Sequence, residues 1–203
     1  MATYLNDISP LPTIININKT PYITIAKGVR SGSMELRHAL TALTLLSRKI
    51  LTNTTNTNKI SPLEGAWFEE DQSAHSWEES LLGKMMMQQP TFVTTKIFHS
   101  AKNSVLSNLT DPEIRSYINK ASLNVMEARF VVQMLHIGPY ENEPPFLKEM
   151  INYAETQGFI PTSNIHHEVY LKDIRTVSSD KYETILQIPL QKNNNPMGLA
   201  TVL

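Results

Sequence analysis

Cysteine is absent from the 203-residue chain, which removes disulfides, thiolate zinc sites and cysteine nucleophiles together. An excess of one charge is also missing: 18 basic and 19 acidic residues leave a formal charge of −1. A stand-alone nucleic-acid binder normally carries a basic surplus to neutralise phosphates, so direct nucleic-acid binding is not expected. No window approaches the roughly 18 consecutive apolar residues of a membrane span. The first twenty residues are broken by Asn6, Asp7, Pro10, Pro12, Asn16 and Asn18 and do not read as a signal peptide. These absences point to a cytoplasmic protein without a membrane partner. Glycine-rich phosphate loops and Gly-x-Ser-x-Gly elbows are missing too, so the common phosphate and serine-hydrolase signatures do not apply.

What is present is globular composition, 41% hydrophobic and 18% charged, in a chain long enough for one sizeable core. Residues 1–20 read as a loose lead-in, and Tyr22 to Lys27 as a short strand. Ser31-Gly32-Ser33 offers a helix N-cap, followed by Leu36, Leu40, Leu43, Leu46 and Ile50 at helical spacing. The polar run Thr52 to Asn58 should be an exposed loop. Strands are expected at 61–68 and within 77–89, and the stretch 94–121 as a helical connector. There Asp111-Pro112-Glu113 supplies a cap, a first-turn proline and a first-turn acid.

The segment 128–190 repeats the first pattern. Phe130, Val132, Met134 and His136 alternate with Val131, Gln133, Leu135 and Ile137, as in a strand apolar on both faces. Gly138-Pro139 stops it, Pro144-Pro145 opens a helix bearing Leu147, Met150, Ile151 and Ala154, and Gly158 suits its left-handed end. Strands follow at 166–172 and 182–190. In the first of these, His167, Val169 and Leu171 form the apolar side, which leaves Glu168 and Tyr170 together on the other. Glu64 and Glu168 occupy matching places in the two halves. The expected architecture is α+β: two strand-helix-strand-strand (SHS2) halves, related by a pseudo-twofold, forming one curved antiparallel sheet with a ligand cleft between them. One domain should span 21–190, followed by a tail at 191–203.

The residues Pro62-Leu63-Glu64-Gly65-Ala66-Trp67, Gln89-Pro90, Gln133 to Tyr140, Glu143-Pro144 and His166-His167-Glu168-Val169-Tyr170-Leu171 resemble the GyrI-like small-molecule-binding family, over about 22–190. Two departures stand out: Asp173-Ile174-Arg175 replaces the usual Asp-Pro-Arg, and Gln187 stands where arginine is usual. The resemblance implies a cleft for planar apolar or cationic small molecules, lined by Glu64, Trp67, Trp77, His136 and Tyr170. It also implies, for some stand-alone members, hydrolysis of cyclopropane-bearing DNA-alkylating toxins without a metal or organic cofactor. Glu143, Glu168 and Tyr140 would then be the catalytic residues. The alternatives are a non-catalytic sequestering or sensing module and a gyrase-inhibitor-like protein-binding factor. Residues 1–20 are too short for a helix-turn-helix, which disfavours a regulator. His136, His166 and His167 invite a metal reading. It is set aside because adjacent strand histidines point to opposite faces and no zinc-binding helix motif accompanies them.

Overall fold

The computed structural model describes residues 8–25, 29–30, 33–54, 61–69, 81–88 and 94–194. In chain order the elements are β1 (Thr13–Ile17), β2 (Thr20–Ile25), β3 (Val29–Arg30), α1 (Met34–Thr54), β4 (Leu63–Glu69) and β5 (Leu81–Gln88). Then come α2 (Thr95–Asn108), α3 (Pro112–Lys120), β6 (Ala121–Met126), β7 (Arg129–Ile137), α4 (Pro144–Thr156), β8 (Phe159–Pro161), β9 (Ile165–Tyr170) and β10 (Glu183–Lys192). A ten-stranded sheet runs β1-β7-β10-β9-β4-β5-β2-β6, with β3 on β5 and β8 on β10, and every described pairing is antiparallel. The fold is α+β. Outward from the central β4–β9 pair the order is β4-β5-β2 on one side and β9-β10-β7 on the other. In each half the last strand in sequence therefore sits between the other two.

The helices lie on one face of the sheet. Leu36, Leu40, Leu43, Leu46 and Ile50 of α1 are all buried and pack with Phe98 and Ala101 of α2, Tyr117 and Ile118 of α3, and Ile23, Trp67 and Tyr170 of the sheet. The 3.6-residue spacing of the α1 leucines explains this, since it gathers them into one stripe. The α4 residues Leu147, Met150 and Ala154 cover Val132, Met134, Leu186, Ile188 and Leu190. The opposite face carries smaller clusters: Ile17, Val131, Val169 and Ile185, and Tyr22 with Ala66. Among the described residues no helix is long and apolar enough to cross a membrane.

Local signals fix the ends. Ser33 Oγ accepts the Leu36 amide at 3.2 Å, Thr94 caps α2, and Asp111 Oδ1 accepts from the Glu113 and Ile114 amides at 2.9 and 3.1 Å. Gly158 closes α4 at φ 77°, where a Cβ is disfavoured.

Several expectations are corrected. The lead-in is not loose through residue 20, because β1 pairs with β7 from Thr13↔Gln133 to Ile17↔Arg129. Its β-branched isoleucines extend the sheet at that edge. β6 and the short β8 were not anticipated, and α1 continues through Thr54 into the run assigned to a loop. The family signature Gln89-Pro90, and Trp77, lie outside the described residues.

The packing and the caps predict different sensitivities. Leu43→Ala should lower unfolding stability by about 3 kcal/mol, through lost burial and a residual cavity. Asp111→Ala should lower it by about 1 kcal/mol. Urea denaturation measures both, and equal losses would contradict the core described here.

Candidate functional site

The register of the central strands brings the polar residues of the helical face together. On β7, His136 lies opposite Thr184 of β10, and Thr184 lies opposite Tyr170 of β9, so one row of side chains crosses three strands. Glu168 and His166 follow Tyr170 on the same face by the two-residue alternation. Opposite Glu168 on β4 is Gly65, and opposite His166 is Trp67. Gly65 therefore places no side chain beside Glu168 on that flank.

Glu143 enters this row from the turn after β7. Gly138 takes φ 122°, a conformation that disfavours a side chain, and its amide donates to the Tyr182 carbonyl at 3.0 Å. Pro139 then begins a tight turn, in which the Asn142 and Glu143 amides donate to the Pro139 and Tyr140 carbonyls at 3.1 and 2.9 Å. Glu143 sits immediately before α4 and could have capped it, but its side chain makes no cap bond and is fully buried. It turns inward instead. Oε1 of Glu143 stands 3.4 Å from His136 Nδ1, and Oε1 of Glu168 stands 3.3 Å from His166 Nε2. One donor atom each from Glu143, His166 and Glu168 lies within 4.8 Å of the others.

Two carboxylates in one dry space cannot both ionise cheaply. Burial first, and then the negative charge of Glu168, hold the Glu143 carboxyl well above the ordinary range, which favours its protonated form. Burial holds His136 low, against the raising effect of Glu168, so its imidazole is neutral. Tyr140 and Tyr170 are pushed upward, mainly by burial and then by Glu168, and both phenols stay protonated.

The aromatic residues form the walls. Trp67 Nε1 donates to Tyr170 Oη at 3.0 Å in a buried bond. Tyr140 meets Tyr170 edge-on at 6.4 Å and Tyr182 at 5.1 Å between ring centroids, and Phe146 meets His136 at 4.9 Å. The hydroxyls of Tyr140 and Thr184 and both oxygens of Glu143 are buried without a hydrogen-bond partner. Buried polar atoms are ordinarily paired, so these four stand out among the aromatic walls. Beside Tyr170 a cleft of about 180 Å³ is lined by Leu40, Thr44, Leu63, Asp173, Ile174 and Arg175. Arg175 donates to Asp173 at 2.7 Å and to the Thr41 and Thr44 hydroxyls at 3.0 and 3.1 Å, which pins the loop after β9 to α1. Ile174 is buried in the α1 cluster, so the residue that departs from the family pattern has a packing role. A larger groove of about 400 Å³, between α1 and α2, is lined by other residues, including Leu45, Arg48 and Val105.

Of the residues singled out from sequence, Glu143, Glu168, Tyr140, His136, Tyr170 and Trp67 come together here. Glu64 does not: it pairs with Val169, which places it on the opposite face, and the true neighbour of Glu168 on β4 is Gly65. The match between Glu64 and Glu168 held in sequence order but missed this one-residue offset. Trp77 lies outside the described residues. His166, Thr184, Phe146 and Tyr182 were not proposed for the site. Alternation already placed His166 on the Glu168 face, whereas Thr184 depends on strand register. His166 and His167 do point to opposite faces. Even so, the trio Glu143, His166 and Glu168 has the donor types that could hold a divalent cation.

Residues 118–191 match the GyrI-like small molecule binding domain. No curated protein matches the chain. Among solved structures, a hydrolase from Listeria innocua is similar at 23% identity, with 93% of this chain and 95% of that one covered and a TM-score of 0.76. An uncharacterised conserved protein from Listeria innocua is similar at 24% identity, covering 93% and 96%, also with a TM-score of 0.76. The C-terminal domain of EcmrR is similar at 13% identity, covering 89% and 97%, with a TM-score of 0.55. At these identities the likeness is one of fold.

Two predictions follow from the site's geometry. Tyr170→Phe strands the buried Trp67 N–H and should cost about 1–3 kcal/mol, whereas adding Trp67→Phe removes the orphaned donor and should recover part of the loss. Chemical denaturation of the three variants tests this, and additive losses would contradict it. Glu143 has a raised pKa when folded, so the folded state binds more protons than the unfolded state, and stability falls as pH rises from the ordinary carboxyl range toward the raised value. Glu143→Gln should flatten that fall in thermal unfolding followed from about pH 5 upward.

Proposed function

Starting from a chain whose residues 118–191 match the GyrI-like small molecule binding domain, we propose that its cleft binds planar, apolar electrophiles and opens cyclopropane rings in DNA-alkylating toxins by adding water. The observation that supports this reading most is the buried Glu143–Glu168 pair beside the unpartnered Tyr140 hydroxyl. The pair offers one proton and one base within reach of the same atoms.

Glu168, steered by His166, accepts a proton from water as the water oxygen bonds to the strained ring carbon. The ring carbon–carbon bond breaks, and its electron pair moves to a carbonyl oxygen conjugated with the ring. Tyr140, kept protonated by burial, donates a hydrogen bond to that oxygen as it gains charge. The proton held by Glu143 then neutralises the product. Water has been added across one bond, and the pair still holds a single proton, now on Glu168. Transfer between the neighbouring carboxyls resets the site. Trp67, Tyr170 and Tyr182 flank a flat ligand and exclude solvent from the carboxylates.

The test is incubation of the wild type, Glu168→Gln and Tyr140→Phe with a cyclopropane-bearing alkylator, following the ring-opened product by mass spectrometry. Glu168→Gln should lose about 10²–10⁴-fold in rate, and Tyr140→Phe about 10²-fold. A chelator should leave turnover unchanged. Activity lost on chelation and restored by zinc would instead assign Glu143, His166 and Glu168 to a metal. Tight binding without product from any of the three proteins would overturn the hydrolase reading in favour of sequestration.

A further inference from the structure

A second group of buried polar side chains lies on the face away from the helices. Arg129 opens β7, and further along it Gln133 stands between Thr13 of β1 and Gln187 of β10, with His167 of β9 opposite Gln187. Gln187 Nε2 donates to Gln133 Oε1 at 3.2 Å, which ties the centre of this row together. All three guanidinium nitrogens of Arg129 are buried without a hydrogen-bond partner, as are His167 Nδ1 and Thr13 Oγ1. Arg129 and His167 do not share the face of Glu168, and the chemistry proposed there uses neither.

Arginine is the least adaptable residue to find in this state. A buried lysine or histidine can lose its proton, but a guanidinium stays charged at any pH a protein meets. His167 has made that adjustment: burial, then the charge of Arg129 and of His166, push it down to about 3. Arg129 cannot, and although the residue as a whole is half-buried its guanidinium nitrogens are out of water, so they call for an anion. The described carboxylates do not supply one. Glu127 pairs with Lys19 at 2.7 Å, Glu168 faces the other side of the sheet, and Glu64, on this face, has a contact of its own.

We propose that Arg129 and His167 form a site for the carboxylate of a small organic anion, seated beside the aliphatic cluster that contains Val131. A planar carboxylate matches the guanidinium fork in shape and in charge, one against one. A dianionic phosphate would bring a second charge into the same buried space. The neighbouring aliphatic cluster is continuous with the strand that carries Arg129 and suits an organic body better than a hydrated ion.

The test uses the full chain, with benzoate and acetate as carboxylate probes and inorganic phosphate and sodium chloride at matched ionic strength as comparisons. Benzoate at about ten times its Kd should raise the wild-type unfolding midpoint by about 3 °C, with a smaller response to acetate and none to chloride. In calorimetric titration Arg129→Met, which keeps the apolar stem, should weaken benzoate at least about tenfold, the scale of one lost charge-assisted pair. Glu168→Gln should bind benzoate like the wild type, which separates this site from the proposed catalytic one. No carboxylate response in the wild type overturns the proposal, whether or not the variant folds. So does a response to phosphate alone, undiminished binding in Arg129→Met, or loss of binding in Glu168→Gln.

Discussion

The arrangement depends on two carboxylates held against each other out of water. Glu168 belongs to a central strand, hydrogen-bonded on both sides by β4 and β10, and cannot move without disturbing both halves of the sheet. Glu143 belongs to a turn whose course is set by Gly138 and by amide bonds to Pro139 and Tyr140. Bringing these charges together is costly, and the cost is relieved by leaving a proton on Glu143. That single proton is what turns an unfavourable contact into an acid and a base side by side. The large apolar clusters under α1 and α4 matter here chiefly because they keep the contact dry.

Side-chain parity divides the sheet into two chemical surfaces. The face under the helices gathers His136, Thr184, Tyr170, Glu168 and His166. The reverse face gathers Arg129, Gln133, Gln187 and His167. Adjacent residues of one strand, His167 and Glu168, thus serve opposite surfaces, and a one-residue slip of β9 would exchange them. Register is therefore the quantity that the flanking aliphatic residues must hold. Val169 and Val131 on one side, and Leu186 and Val132 on the other, do so by being buried on their own faces.

Much of this was legible in the sequence because it depends on local chemistry. The leucine stripe of α1, the Asp111-Pro112 start of α3, the Gly138 break and the alternation that puts Glu168 with Tyr170 all arise from neighbours within a few residues. What could not be read depends on which strands meet. Nothing local says that Gly65 rather than Glu64 faces Glu168, that Thr184 completes the row between His136 and Tyr170, or that β1 extends the sheet beside β7. β6 was missed for a related reason: Ser122, Asn124 and Val125 are exposed, so the strand lacks the apolar signature and is held by pairing with β2.

The polar atoms of the helical-face site are deliberately unequal in how they are paired. Trp67 and Tyr170 satisfy each other, and Glu168 has its own histidine in His166, so the walls and the orientation of one acid are fixed before any ligand arrives. The Tyr140 hydroxyl, the Thr184 hydroxyl and the Glu143 oxygens are not hydrogen-bonded. A site that only packed an apolar compound would gain nothing from leaving such groups dry and unpartnered, since each costs free energy in the folded chain. The expense is explained if the missing partners belong to the guest: a water between the carboxyls and an oxygen beside Tyr140. A rigid aromatic frame around a few unsatisfied polar atoms is the arrangement in which binding energy is realised when charge develops on a ligand, which is the physical basis of the reading proposed for this site.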